Sequence, residues 1–91
     1  MKMLGNKLYS AFYFDSVVKI DIPQLPKKMR DTIKIAIEER LMVDPVGFGK
    51  PLRYSLKGHR RLRVGDYRIV YRIEKKTVVI IAIKHRKDVY E

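Results

Sequence analysis

The sequence has 91 residues, of which 46% are hydrophobic, a formal net charge of +11 and no cysteine. A chain of this length has room for one modest hydrophobic core, so we expect residues 1–91 to form a single domain. The lack of cysteine excludes a disulfide framework and a thiolate metal site. No apolar run approaches the roughly 18 residues of a membrane span and no basic-then-apolar leader is visible, so we expect a cytoplasmic protein without membrane contact.

The N-terminal half predicts one strand followed by two helices. The apolar and aromatic segment Leu8–Phe14 is typical of a strand, and a short helix is expected to follow it and to end near Ile22. A second helix is predicted to begin at Pro26, because proline suits the first turn of a helix. This helix is expected to end at Asp44, because the residue before a proline avoids the α region.

The C-terminal half predicts a loop and then three strands. The stretch Pro45–Gly58 contains three glycines and two prolines, and we interpret it mostly as loop. The predicted strands are about Arg60–Val64, Tyr67–Glu74 and Thr77–Lys84. This order of elements predicts an α+β fold, a small, mostly antiparallel sheet of about four strands with two N-terminal helices packed on one face.

The dipeptide Gly65-Asp66 lies between two alternating runs, which is typical of a two-residue hairpin turn. In this hairpin Arg63 faces Arg68 across the strands. Alternation then places apolar residues on a core face and charged residues on the opposite face, which carries Arg61, Arg63, Arg68, Val70 and Arg72. A tight turn at Lys75-Lys76 adds the last strand. The simplest pairing of that strand puts Val78, Ile80 and Ala82 on the core face and Val79, Ile81 and Ile83 beside the arginines.

Positive charge is concentrated in the second half of the chain. Residues 50–91 contain 13 Lys/Arg and 4 Asp/Glu, a net charge of +9. Two arginines directly opposite each other on adjacent strands destabilise a hairpin by roughly 0.2–1 kcal/mol. We therefore interpret the charged face as a site for phosphate, which the rigid fork of arginine suits better than the point charge of lysine. The alternative is a solvated basic surface without a ligand.

Groups that can carry protons flank the predicted strands. His59 precedes the first arginine strand, whereas His85, Arg86 and Tyr90 follow the last one. We expect these two strand ends to converge near Arg68. A cluster of arginine, histidine and tyrosine without paired carboxylates argues against a magnesium-dependent nuclease, and no metal or other cofactor is expected. The cluster suits the attack of a ribose 2′-hydroxyl on its own phosphate, which needs a base, an acid and cations.

Two segments of the sequence resemble the RelE/ParE toxin superfamily of bacterial and archaeal toxin–antitoxin systems. The segments are "LKGHRRLRVGDYRIVYRI" and "IKHRKDVYE", and "KIDIPQLPKKMR" is similar to the helical hairpin of that family. The resemblance implies a small toxin that a cognate antitoxin protein holds inactive. RelE-like members cut messenger RNA on the ribosome without a metal, whereas ParE-like members poison DNA gyrase.

The resemblance also implies a set of site residues. The active-site positions of RelE-type enzymes correspond here to Arg61, Arg68, Arg86 and Tyr90, and His59 stands where RelE itself has lysine. Four further side chains are expected to contact RNA: Arg63, Arg72, Lys84 and His85. The resemblance thus favours a translation-inhibiting endoribonuclease that acts on the ribosome and its mRNA. A gyrase poison that acts by protein binding, and a plain RNA- or DNA-binding module, are the alternatives.

Overall fold

The structure is a computed structural model that describes residues 8–53, 55 and 57–88. Its strands form one sheet with the order β1-β5-β4-β3-β2, in which β1 is parallel to β5 and the other neighbours are antiparallel. The strands are β1 Ser10–Tyr13, β2 Lys50–Pro51, β3 Arg60–Val64, β4 Tyr67–Glu74 and β5 Thr77–His85. The sheet is therefore mixed and, within the described residues, has five strands.

The helical elements connect β1 to β2 and follow β5. They are a π-helical turn Val17–Asp21, helix α1 Lys27–Ala36 with its π-helical continuation Ile37–Leu41, helix α2 Pro45–Phe48 and a 3₁₀ turn Arg86–Asp88. No helix in the described part of the chain has the length and apolar character needed to cross a membrane.

The hydrophobic core lies between the helices and one face of the sheet. The helical side contributes Val17, Leu25, Ile33, Ala36, Ile37 and Leu41, and the sheet contributes Leu62, Val64, Ile69, Tyr71, Val78, Ile80 and Ile83. In β3 and β4 these buried residues alternate with the arginines, as the period of two in a strand requires. The expectation that the helices pack on one face of the sheet is thus confirmed.

Three predictions about the elements need correction. The sheet has a fifth strand, β2, within the stretch interpreted as loop, and β1 makes the sheet mixed. The first predicted helix is a single π-helical turn. The second predicted helix ends at Leu41, before Asp44, and Asp44 instead starts α2, because its Oδ1 accepts a hydrogen bond from the Gly47 amide at 2.9 Å.

Both predicted hairpin turns are confirmed. Gly65 has φ +60°, as a turn of this length with glycine at its first central position requires, and Arg63 pairs with Arg68 as predicted. The second turn has two residues and contains Lys75 at φ +56°.

The predicted register of β5 is right only for its first half. Tyr71 pairs with Ile80, but Val70 pairs with Ala82, so a bulge at Ile81 shifts the remainder by one residue. Ile83 therefore faces the core, where it is 3% exposed, instead of lying beside the arginines. Ala82 lies on the charged side, and its predicted place in the core was wrong.

Candidate functional site

The face of the sheet opposite the helices carries Arg61, Arg63, Arg68 and Arg72, and we call it the arginine face. The strand register confirms that these arginines lie on one side of the sheet, because their strand neighbours Leu62, Ile69 and Tyr71 are buried in the core. Arg63, Arg68 and Lys84 occupy one row across β3, β4 and β5. Adjacent strands are about 4.8 Å apart, so the side chains of such a row reach a common patch of surface.

Arg60 belongs to the same arginine-rich strand but has a structural role. Its Nη2 donates hydrogen bonds to the carbonyl oxygens of Val46, at 3.0 Å, and Gly49, at 3.1 Å. The guanidinium group therefore holds helix α2 and the entry to β2 against the start of β3. Arg60 therefore stabilises the fold through its side chain.

Three guanidinium side chains surround a shallow pocket at the β3–β4 turn, which we call the arginine pocket. Its volume is about 250 Å³, and its described lining is Arg63, Gly65, Asp66, Tyr67, Arg68 and Arg86. Arginine stays protonated at every physiological pH and offers five N–H donors in a fixed fork. The pocket can therefore bind an anion such as a phosphodiester and stabilise additional negative charge on it, but its guanidinium groups cannot transfer protons.

A main-chain hydrogen bond fixes the position of Arg86. The Arg86 amide donates to the carbonyl oxygen of Asp66 at 2.7 Å, which ties the end of β5 to the β3–β4 turn. The Arg86 Nε also lies 3.7 Å from Oδ1 of Asp66, in an ion pair whose two side chains are 65% and 66% exposed. The exit of β5 thus converges with Arg68, as predicted.

His85 lies on the other face of the sheet, away from the arginine pocket. It pairs with Tyr67, and the two rings meet edge to face with centroids 5.1 Å apart. Its Nδ1 accepts a hydrogen bond from the Lys87 amide at 3.2 Å. Of the adjacent pair His85 and Arg86, the structure brings Arg86 into the pocket.

The ammonium group of Lys84 is held by Asp21, a residue that the sequence analysis did not single out. Asp21 is 4% exposed, and its Oδ1 accepts from Lys84 Nζ at 2.9 Å. Its Oδ2 accepts from the main-chain amide of Ile83, also at 2.9 Å. The Asp21 carboxylate therefore provides a hydrogen-bond acceptor for β5 beyond Ile80, which is the last residue of β5 that pairs with β1. Lys84 shares a row with Arg68, but its charge is partly neutralised by this contact.

His59 lies at the opposite end of β3 from the arginine pocket. Arg60 pairs with Tyr71, whereas the pocket is built around the pair of Arg63 and Arg68, so about 13 Å of strand separate His59 from Arg63. The predicted convergence near Arg68 was therefore wrong for His59. Its Nε2 is buried and has no hydrogen-bond partner among the described residues, and its amide donates to Ser55 Oγ at 2.9 Å.

The remaining predicted residues are spread over the arginine face. Arg61 lines a second pocket of about 470 Å³ beside Lys50 and Arg53. Arg72 forms an ion pair with Glu74, and its guanidinium carbon lies 5.7 Å from the centre of the Phe14 ring. Tyr90 lies outside the described residues. Among the described residues, no three His, Cys, Asp or Glu side chains lie close enough together to hold a metal ion.

The sequence is similar to toxins of type II toxin–antitoxin systems. The profile of a family described as "ParE toxin of type II toxin-antitoxin system, parDE" matches residues 15–90. The chain is 37% identical over 79 residues to Toxin RelG of Mycobacterium tuberculosis, an alignment that covers 85% of this chain and 91% of that protein. It is also 31% identical over 74 residues to Toxin RelE3 of Methanocaldococcus jannaschii, covering 78% and 84%.

Solved structures with the same fold include toxins crystallised with their antitoxins. The toxin–antitoxin complex RelBE2 of Mycobacterium tuberculosis matches with a TM-score of 0.78 and 32% identity, over 86% of this chain and 98% of the matched one. The RelE–RelB complex of Pyrococcus horikoshii matches with a TM-score of 0.71 and 26% identity, over 90% and 99%. The ParDE system of P. aeruginosa matches with a TM-score of 0.56 and 16% identity, over 88% and 98%, which shows a shared fold alone.

Proposed function

The chain belongs to the RelE/ParE superfamily of type II toxin–antitoxin toxins, and from this membership we propose that it is an endoribonuclease that cleaves messenger RNA on the ribosome. The observation that carries the proposal is the arginine pocket, in which Arg63, Arg68 and Arg86 meet from three different segments of the chain. Three guanidinium groups around a pocket of this size suit a phosphodiester that gains negative charge during reaction.

The proposed reaction is an internal transfer within the RNA. The ribose 2′-oxygen loses its proton and bonds to the adjacent phosphorus, and the bond from phosphorus to the 5′-oxygen breaks. The products are a 2′,3′-cyclic phosphate and a new 5′-hydroxyl, and no metal or cofactor takes part. Arg63 and Arg68 hold the phosphate, and Arg86 stabilises the charge that develops on its oxygens.

The proton transfers of this reaction need carriers that reach the 2′- and 5′-oxygens of the same phosphate. His59 lies at the far end of β3, about 13 Å of strand from Arg63, so it does not reach the 2′- or 5′-oxygen of a phosphate held in the arginine pocket, and it is proposed to contact the RNA beside Arg61 instead. Tyr90 follows Arg86 by four residues in the sequence, and because the family resemblance implies an active-site role for it, it is the proposed proton carrier.

We propose that cleavage takes place on the ribosome because the arginine face alone has few groups that could orient an RNA strand. Alignment of the 2′-oxygen, the phosphorus and the leaving oxygen can contribute roughly 7–11 kcal/mol to such a reaction in well-aligned cases. A ribosome that holds its message in a fixed path would supply that alignment. The remaining cations of the arginine face, Arg61, Arg72 and Lys84, are proposed to contact the RNA or the ribosome, as is His85 on the opposite face. The toxin is therefore proposed to act in the cytoplasm.

The proposed physiological partner is a cognate antitoxin. The matched structures include complexes of RelE toxins with RelB antitoxins. We expect an acidic segment of the antitoxin to cover the basic half of this chain, whose net charge is +9 over residues 50–91. Opposite charges across the interface would speed the association and hold the toxin inactive.

A second candidate function is a DNA gyrase poison that acts by protein binding. The observation that favours it is the family profile, whose description names a ParE toxin. Expression of the chain without an antitoxin, with translation and DNA supercoiling followed in parallel, separates the two functions. The ribonuclease proposal expects early loss of translation with cleaved messages, whereas double-strand breaks that depend on gyrase would support the poison.

A further inference from the structure

We infer that Asp66 is a specificity-determining residue, whose carboxylate weakens the binding of free RNA to the arginine pocket. The inference rests on the proposed function. Of the described residues that line the pocket, three carry guanidinium groups and Asp66 carries a carboxylate. That carboxylate lies against Arg86, with its Oδ1 3.7 Å from the Arg86 Nε.

The side chain of Asp66 is not needed to place Arg86. The main-chain hydrogen bond from the Arg86 amide to the Asp66 carbonyl, at 2.7 Å, holds the two segments together and does not involve the carboxylate. The ion pair is long, and both of its side chains are about two-thirds exposed, so it contributes little to the stability of the fold. Asparagine could also take the place of Asp66 in the turn, since both residues favour such positions.

The Asp66 carboxylate does change the charge close to an anion that binds in the pocket. It competes with phosphate for Arg86 and removes one unit of positive charge from a pocket of three guanidinium groups. A loosely held RNA strand must displace it, and each phosphate neutralised on a single strand contributes to affinity mainly through the release of counterions. On a ribosome the alignment of the message offsets this loss, so the carboxylate makes binding depend on the ribosome.

The test compares two variants with the same change of charge. Asp66→Asn removes the carboxylate of the pocket and keeps the shape of the side chain. The control Asp31→Asn removes a carboxylate that is also 66% exposed and also in a long ion pair, 3.9 Å from Lys27 Nζ, but on helix α1. Both variants raise the net charge by one, so any difference in their affinity for RNA is due to the position of the carboxylate that was removed.

The measurement is the dissociation constant of a single-stranded RNA with 2′-O-methyl sugars, which cannot be cleaved, over a series of salt concentrations. We expect Asp66→Asn to bind about three- to tenfold more tightly than Asp31→Asn at about 0.05 M salt, with a logarithmic salt slope steeper by about 0.7. In the double variant Asp66→Asn/Arg86→Ala this gain is expected to disappear.

Equal affinities of Asp66→Asn and Asp31→Asn would overturn the inference, and weaker binding by Asp66→Asn would show instead that the carboxylate holds Arg86 in place. The variant Arg68→Ala separates this outcome from failure of the proposed function. If Arg68→Ala binds RNA as the wild type does, RNA does not use the pocket. If Arg68→Ala binds weakly while the two carboxylate variants agree, only the role of Asp66 is wrong.

Discussion

Arg63 and Arg68 are direct partners across β3 and β4, so two side chains of the same charge extend from opposite positions on one face of the sheet. Like charges in such positions destabilise a sheet by roughly 0.2–1 kcal/mol relative to a neutral pair. The fold keeps this pair at the mouth of the arginine pocket, where Arg86 adds a third guanidinium group. A phosphate bound in the pocket would attract both guanidinium groups, which connects this pair to the proposed function.

Replacement of Arg63 by threonine separates stability from function. Threonine is neutral and favours strands, so we expect Arg63→Thr to raise the free energy of unfolding by about 0.2–1 kcal/mol while the toxin loses potency. Urea unfolding of the purified variant gives the first quantity, and growth arrest after induction gives the second. A variant that is less stable than the wild type would show that contacts of Arg63 outweigh the repulsion.

Replacement of Arg68 by alanine is expected to remove the growth arrest and to preserve the fold. Loss of one charged donor to a transition state of this kind costs about 10²–10³-fold in rate. The control Arg40→Ala removes the same charge from the exposed side of the helical segment Ile37–Leu41 and should leave the arrest intact. Growth arrest by folded Arg68→Ala at wild-type potency would remove this residue from the site.

Tyr71 makes the fold sensitive to alkaline pH. Its hydroxyl donates to the Pro45 carbonyl at 2.6 Å, and burial raises its pKa above the ordinary value of 10.0 against the opposing effect of Arg60. Because the pKa is raised in the folded state, the contribution of Tyr71 is complete below pH 10 and is lost above it, where the unfolded tyrosine ionises first.

The variant Tyr71→Phe is therefore expected to be less stable at pH 7 by about 1–3 kcal/mol, since the Pro45 carbonyl loses its buried donor. Its stability should also fall less steeply than that of the wild type above pH 10. Tyr13, whose pKa is raised by burial and by Glu38, remains in the variant and accounts for the remaining fall in stability above pH 10. Unfolding curves at several pH values measure both effects, and identical alkaline slopes for the two proteins would contradict this assignment.

Asp21 is expected to be a main determinant of stability at the end of β5. Asp21→Ala leaves the buried Ile83 amide without its acceptor and should cost about 2–3 kcal/mol. Asp21→Asn keeps an acceptor for that amide and loses only the ion pair with Lys84, so its cost should be smaller. Urea unfolding of both variants measures this order, and equal losses for the two would refute it.

The sequence predicted the β3–β4 hairpin correctly because every signal for it is local. A glycine at the first turn position and alternation on both sides determine which residues face each other, and Arg63 pairs with Arg68 accordingly. The register of β5 could not be predicted in the same way. Residues 77–83 are apolar and mostly β-branched, so their sequence does not indicate which side chains face the core. The bulge at Ile81 depends on packing against residues distant in the sequence.

The full geometry of the candidate site could not be predicted from the sequence. β3 and β5 are both antiparallel to the strand between them, so they run in the same direction, and the start of β3 lies far from the end of β5. This order of strands separates His59 from Arg86. The role of Asp21 depends on a contact with Ile83 across 62 positions of sequence, for which no local pattern exists.

Cleavage of ribosome-bound messages with an altered sugar tests the proposed reaction most directly. Ribosomes are programmed with a message whose target nucleotide carries ribose, 2′-deoxyribose or 2′-O-methylribose, and the purified toxin is added. The wild type should cut the ribose message to a 2′,3′-cyclic phosphate and leave both altered messages intact, because they lack the attacking hydroxyl. Efficient cleavage at a 2′-deoxy or 2′-O-methyl nucleotide would contradict the mechanism.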